Sequence, residues 1–130
     1  MQQYVWVFLG GGLGAIARYQ LGMWISGRFG TAFPWHTLAI NVSGCFAIGV
    51  LLALLNQRPE VALAWRLFLV VGFLGGYTTF STFSFEVIAL LRASEWGRAS
   101  WYVLASNLLG IGACFAGITL ARKLPQMGDP

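Results

Sequence analysis

Four long apolar stretches, with almost nothing polar to cover them, decide what this chain can fold into. They run from about Tyr4 to Ile25, Thr37 to Leu55, Trp65 to Leu91 and Ala99 to Leu120. A helix crossing the hydrocarbon core of a bilayer needs about 20 mainly apolar residues, so four crossings take up most of the 130 residues. Only 9% of the chain is charged and 58% is hydrophobic, against roughly 25% charged in a typical soluble domain. Too little polar material exists to cover even one water-facing side, and lipid is the natural solvent. The expected fold is an all-α membrane protein with four transmembrane helices, residues 1–130 forming one domain. Met1-Gln2-Gln3 places no Lys or Arg ahead of the first stretch, which also outlasts the short core of a secretion signal, so it reads as a retained span.

The third stretch is longer than one crossing needs, and its middle reads Gly75-Gly76-Tyr77-Thr78-Thr79-Phe80-Ser81-Thr82-Phe83-Ser84. Paired glycines followed by β-branched threonines are poor helix formers. A helix broken in its middle is expected here, because irregular backbone at membrane depth is tolerated where protein or a water-filled cavity covers it. A break also strips carbonyl oxygens of their intrahelical donors, and such oxygens can coordinate a small cation. Glycine elsewhere (Gly10, Gly11, Gly12, Gly14, Gly44, Gly49, Gly110, Gly112 and Gly117) reads as close helix packing. Cys45 and Cys114 lie inside apolar stretches and read as packing residues rather than a disulfide.

Lys and Arg in short loops set orientation, with the excess on the cytoplasmic side. With four spans, one side receives Arg58, Arg66, Arg122 and Lys123, and the other receives Arg28, Arg92 and Arg98, with Arg18 if it reaches the first loop. The near balance leaves two readings open. Either copies insert in both directions and pair about a two-fold axis in the membrane plane, or the charges are too few to carry information.

Ionisable residues inside spans are functional candidates by default. Arg18 is either a side chain that snorkels to the interface or a fixed charge that draws anions into a vestibule. Glu86 is a proton-coupled site, a partner of Arg18, or a cap on a backbone group. Asn41 offers an amide that can donate two hydrogen bonds to a dehydrating anion, or one across to a neighbouring helix. Ser106 and Asn107 hold a comparable place in the fourth stretch, and with Thr79, Ser81, Thr82 and Ser84 they could form a track of donors. Phe80 and Phe83 are three apart and share a face of any local helix. They face lipid or core, or turn their electropositive ring edges to an anion. One histidine and two cysteines give no metal-ligand spacing, and there is no nucleotide-binding signature and no cluster of nucleophile, base and orienting group. Neither an enzyme nor a nucleic-acid partner is expected.

The run from Gly72 to Ser84 resembles the central signature of the CrcB/Fluc family of fluoride ion channels. Thr37-Leu38-Ala39-Ile40-Asn41 and Gly11-Gly12-Leu13-Gly14-Ala15-Ile16-Ala17-Arg18 are similar to that family's second and first spans, and the likeness covers the full length in matching order. The resemblance implies an antiparallel dual-topology homodimer in the cell inner membrane, with two fluoride pores. Phe80 and Phe83 would contact fluoride, Asn41 would match the pore-lining asparagine, and Ser106 would be a fourth-span hydroxyl facing it. Ser81 and Thr82 would belong to a polar track, with Thr37 near one pore end. Gly75 and Thr78 would offer backbone carbonyls to a central structural sodium ion, completed by the same two residues of the second copy. Arg18 would match the first-span arginine and Glu86 the glutamate after the signature. One departure is His36, where the family usually has glycine; it alters one vestibule and brings a titratable group to it.

The function implied is passive efflux of fluoride, which enters cells as neutral HF, dissociates in an alkaline interior and needs a selective way out. The alternative is a small dual-topology, proton-coupled multidrug exporter. Such exporters resemble one another in a first-span glutamate that this sequence lacks, so Glu86 would have to serve.

Overall fold

A computed structural model of the chain describes residues 1–56 and 62–123, and every regular element among them is helical. The elements are α1 (Gln2–Phe29), α2 (Trp35–Leu55), α3 (Ala62–Trp65), a π-helical stretch Arg66–Leu74, α4 (Gly75–Tyr77), α5 (Phe80–Arg92) and α6 (Trp96–Lys123). Each of the four apolar stretches is helical, the third except at Thr78 and Thr79, and each helical run begins a few residues ahead of the bound read from sequence. Three runs, Trp35–Leu55, Leu63–Arg92 and Trp96–Lys123, are long and apolar enough to cross a membrane. The 28-residue α1 has the length, but its glycines, Arg18 and glutamines dilute its apolar character. Arg58, counted above toward orientation, lies outside the described residues.

Local chemistry sets the ends. Helix α1 stops at Gly30, whose φ of 75° is a left-handed conformation that glycine adopts without strain, and whose N–H returns to Ser26 O at 2.9 Å. Pro34 lacks an N–H to lose and so sits well just ahead of α2. At the far end of α2 the Arg66 guanidinium hydrogen-bonds the Asn56 side chain, tying the third run back to the second.

Packing is by backbone approach rather than by large side chains. A Cβ added at Gly10 would strike the Phe68 carbonyl, and one at Gly14 the Phe73 carbonyl; Gly72 and Gly76 meet the α1 backbone in return. The α1-facing positions 68 and 73 are five apart, and the wider π turn is what keeps them on one face. A second seam joins α2 to α6, where Gly49 abuts the Cys114 carbonyl and Gly117 the Phe46 carbonyl. Lipid tails are as apolar as leucine, so close van der Waals contact between small residues holds such helices together. Large apolar side chains point outward instead: Phe8, Ile16, Phe85, Ile111 and Phe115 are all exposed.

Candidate functional site

The site begins where the third run leaves helical geometry. Thr78 (φ −83°, ψ 159°) and Thr79 (φ −151°, ψ 118°) are extended, between α4 and α5. The Asn41 side chain of α2 spans this point: its Nδ2 donates to Thr79 O and its Oδ1 accepts from Thr79 N, both at 2.9 Å. One amide thus satisfies both backbone groups of a residue that has left the helix. Thr79 in turn caps α5, its hydroxyl accepting from Thr82 N at 3.2 Å and donating to Thr82 Oγ1 at 2.9 Å. The Thr82 hydroxyl keeps its own proton for an outside acceptor.

These bonds free two carbonyls. In a continuous α-helix Gly75 O would accept from Thr79 N, and Thr78 O from Thr82 N. Here the first donor goes to Asn41 and the second to the Thr79 hydroxyl. Gly75 and Thr78 are therefore left with backbone oxygens of the kind that suits a hard monovalent cation. Leu74 O, by contrast, is doubly satisfied by the Thr78 N–H at 2.9 Å and the Thr78 hydroxyl at 2.8 Å.

Beside the break lies a groove of about 390 Å³. Its polar lining comes from Asn41, Thr78, Thr79, Ser106 and Asn107, and its apolar wall from Ile48, Val70, Leu74, Phe80 and Phe83. Asn107 donates to Val103 O at 2.8 Å, whereas Ser106 Oγ is buried with no hydrogen-bond partner among the described residues. A hydroxyl in that state wants a ligand or a water, because an unmet buried polar group costs roughly 1–3 kcal/mol. The Phe80 and Phe83 rings stand 5.7 Å apart, tilted by 41°, and Phe80 is 78% exposed.

Phe83 leads on to a second polar cluster, packing edge-to-face on Tyr102 of α6 with centroids 5.1 Å apart. Glu86 Oε2 accepts from the Tyr102 hydroxyl at 2.7 Å, and Oε1 accepts from Thr37 Oγ1 at 2.8 Å. His36 Nε2 lies 3.3 Å from the same Oε1. Thr37 and Tyr102 are fully enclosed, at 1% and 0% exposure. The first turn of α2 contains no acidic residue, and Glu86 supplies from α5 the negative charge that the positive end of that helix favours.

A family model described as "CrcB-like protein, Camphor Resistance (CrcB)" matches residues 5–118. A "Fluoride-specific ion channel FluC" of Acidobacterium capsulatum is 46% identical over 94% of this chain and 98% of its own length. Those bearing the same name in Solibacter usitatus and Agrobacterium fabrum are 49% and 44% identical, over 93% and 91% of this chain and 99% and 94% of their own. The chain belongs to the CrcB family. The matched region of this CrcB protein takes in every site residue named above, and three membrane-length helices make it a multi-pass membrane protein.

The CrcB fold gathers Asn41, Gly75, Thr78, Phe80, Phe83 and Ser106 around the one groove. Thr37 and Glu86 meet one another in the cluster beyond Phe83, and Ser81 and Thr82 sit exposed at the start of α5. Arg18 is half-buried on α1 and is not Glu86's partner; Thr37, Tyr102 and His36 fill that place. Asn41 does not present its whole amide to the groove, since Thr79 holds the carbonyl and one N–H. Sequence reasoning missed Tyr102. A tyrosine one turn before Ser106 in an apolar run is a signal, because a buried phenol seeks an acceptor.

Proposed function

We infer that this chain is a fluoride-selective channel giving passive efflux of fluoride across the cell inner membrane. The observation that carries the reading is the convergence on one groove of the Asn41 amide, the unpartnered Ser106 hydroxyl and two phenylalanine rings, from three helices. Such a lining offers hydrogen-bond donors and ring edges but no fixed cation to trap the ion, and conduction requires binding weak enough to leave. The names of the relatives support fluoride as the ion. Asn41, through its remaining N–H, Ser106, Phe80 and Phe83 form the central part of the path. Ser81 and Thr82 add a polar track, and Thr37 with Glu86 marks one end. Arg18 is a vestibule charge.

The working unit is an antiparallel dual-topology homodimer of four-span chains, with residues 1–130 as one channel domain, α1 as the first span and the third span broken at Thr78–Thr79. The exposed apolar outer faces and the near balance of Lys and Arg across the two sides support it. A structural sodium ion fits the freed carbonyls of Gly75 and Thr78, with the same pair from the second copy supplying the remaining oxygens. Both oxygens of Glu86 are already engaged, which leaves no free carboxylate of the kind an exporter would use.

The test is ion release from liposomes that contain only the purified protein, followed with fluoride and chloride electrodes after adding a potassium ionophore. Fast fluoride release without chloride release is expected; no release of either ion from folded protein would sink the channel reading. Phe80→Ile and Phe83→Ile should each lower fluoride flux roughly two- to ten-fold, the factor matching the ~0.5–1.5 kcal/mol of an aromatic contact. Unchanged flux in both would remove the rings from the path.

A further inference from the structure

His36 is the chain's one histidine, and its two ring nitrogens meet different surroundings. Thr37 and Tyr102 both donate to Glu86, so the carboxylate is presented as an acceptor. His36 Nε2 lies 3.3 Å from Oε1, so a proton on that nitrogen would face an acceptor. In the neutral ring this leaves Nδ1 as a bare lone pair, and that atom is buried with no partner among the described residues. A second proton on Nδ1 turns the contact into an ion pair.

We propose that His36 and Glu86 form one proton-binding dyad at the Thr37 end of the anion path, and that loading it with a proton speeds anion passage. The sign follows from charge. With the ring neutral the dyad carries one net negative charge beside Thr37, which opposes an entering anion; one added proton brings the dyad to zero. The groups facing it from neighbouring helices do not offset that change. On α6, Tyr102 donates to Glu86, and Arg98, one turn earlier, pairs with Glu95 at 3.4 Å. On α1, Gly22 faces the imidazole edge, with Arg18 one turn before it.

The transport measurement rests on the channel reading, and the dyad itself can be tested without it. Fluoride efflux from liposomes at symmetric pH of about 8 and about 5.5 brackets the ordinary histidine range near ~6.5. Wild-type flux should be about three-fold or more higher at the lower pH, for one net charge lost near a partly screened path. His36→Gln should flatten the dependence. The imidazole resonance, unambiguous for a single histidine, should titrate over the same range as the flux. Wild-type flux equal at the two pH values, an undiminished dependence in His36→Gln, or a flux midpoint far from that of the imidazole would overturn the proposal. Absence of flux at both pH values would instead sink the channel reading. The dyad is then decided by imidazole titration of wild type against Glu86→Gln: separated curves uphold it and superimposed curves end it.

Discussion

Asn41→Asp should reduce fluoride efflux about 100-fold or more, because one substitution damages two things at once. The carboxylate still accepts from Thr79 N but can no longer donate to Thr79 O, so two oxygens now stand where a 2.9 Å hydrogen bond was. An unmet buried carbonyl costs roughly 1–3 kcal/mol, and the added negative charge repels the anion in the same groove. Asn41→Ala separates the effects, losing both bonds to Thr79 without adding charge. Its flux should fall between those of wild type and Asn41→Asp in the same liposome assay. Wild-type throughput in Asn41→Asp would remove Asn41 from both the clamp and the path.

Gly14→Val should be strongly destabilising. An added Cβ at that position strikes the Phe73 carbonyl and lies 3.0 Å from Tyr77 N, all of it backbone that cannot rotate away. The helices must separate, at a cost of about 3 kcal/mol or more. Gly12→Val, two residues away, meets nothing within 4 Å and should stay within ~0.5 kcal/mol of wild type. Thermal unfolding of the detergent-solubilised protein should show a large fall in midpoint for the first and little for the second. Equal midpoints would mean that the α1 seam does not limit stability. Gly14 packs directly on the Phe73–Tyr77 segment that leads into the break, so a surviving Gly14→Val protein should also lose flux.

Much of the fold was legible because hydropathy is a one-dimensional property. Runs such as Thr37–Leu55 and Ala99–Leu120 announce membrane helices by length and composition, and the structure lengthens them only by a turn at their polar ends. Propensity is local too, but it marks only a weak stretch: Gly75–Tyr77 is still helical, and Thr78 and Thr79 alone are extended. Family membership was carried by the long run Gly72–Ser84.

The pairing of polar groups was not legible, because it depends on which helix faces mingle. Asn41 alone reads as an open donor; only the register of α2 against the break delivers it to both backbone groups of Thr79, 38 residues away. Glu86 could equally have met Arg18, until α5 turned it toward α2 and α6. There Thr37, Tyr102 and His36 satisfy it across separations of 49 and 16 residues for the two hydrogen bonds. By itself the sequence determined that this chain lives in lipid as a bundle of helices of one family, because apolar length and motif are properties of contiguous residues. The tertiary structure decided which amide, hydroxyl and carboxylate are spent on holding the chain and which stay free for an ion, because a hydrogen bond reaches only about 3 Å and only packing brings distant residues that close.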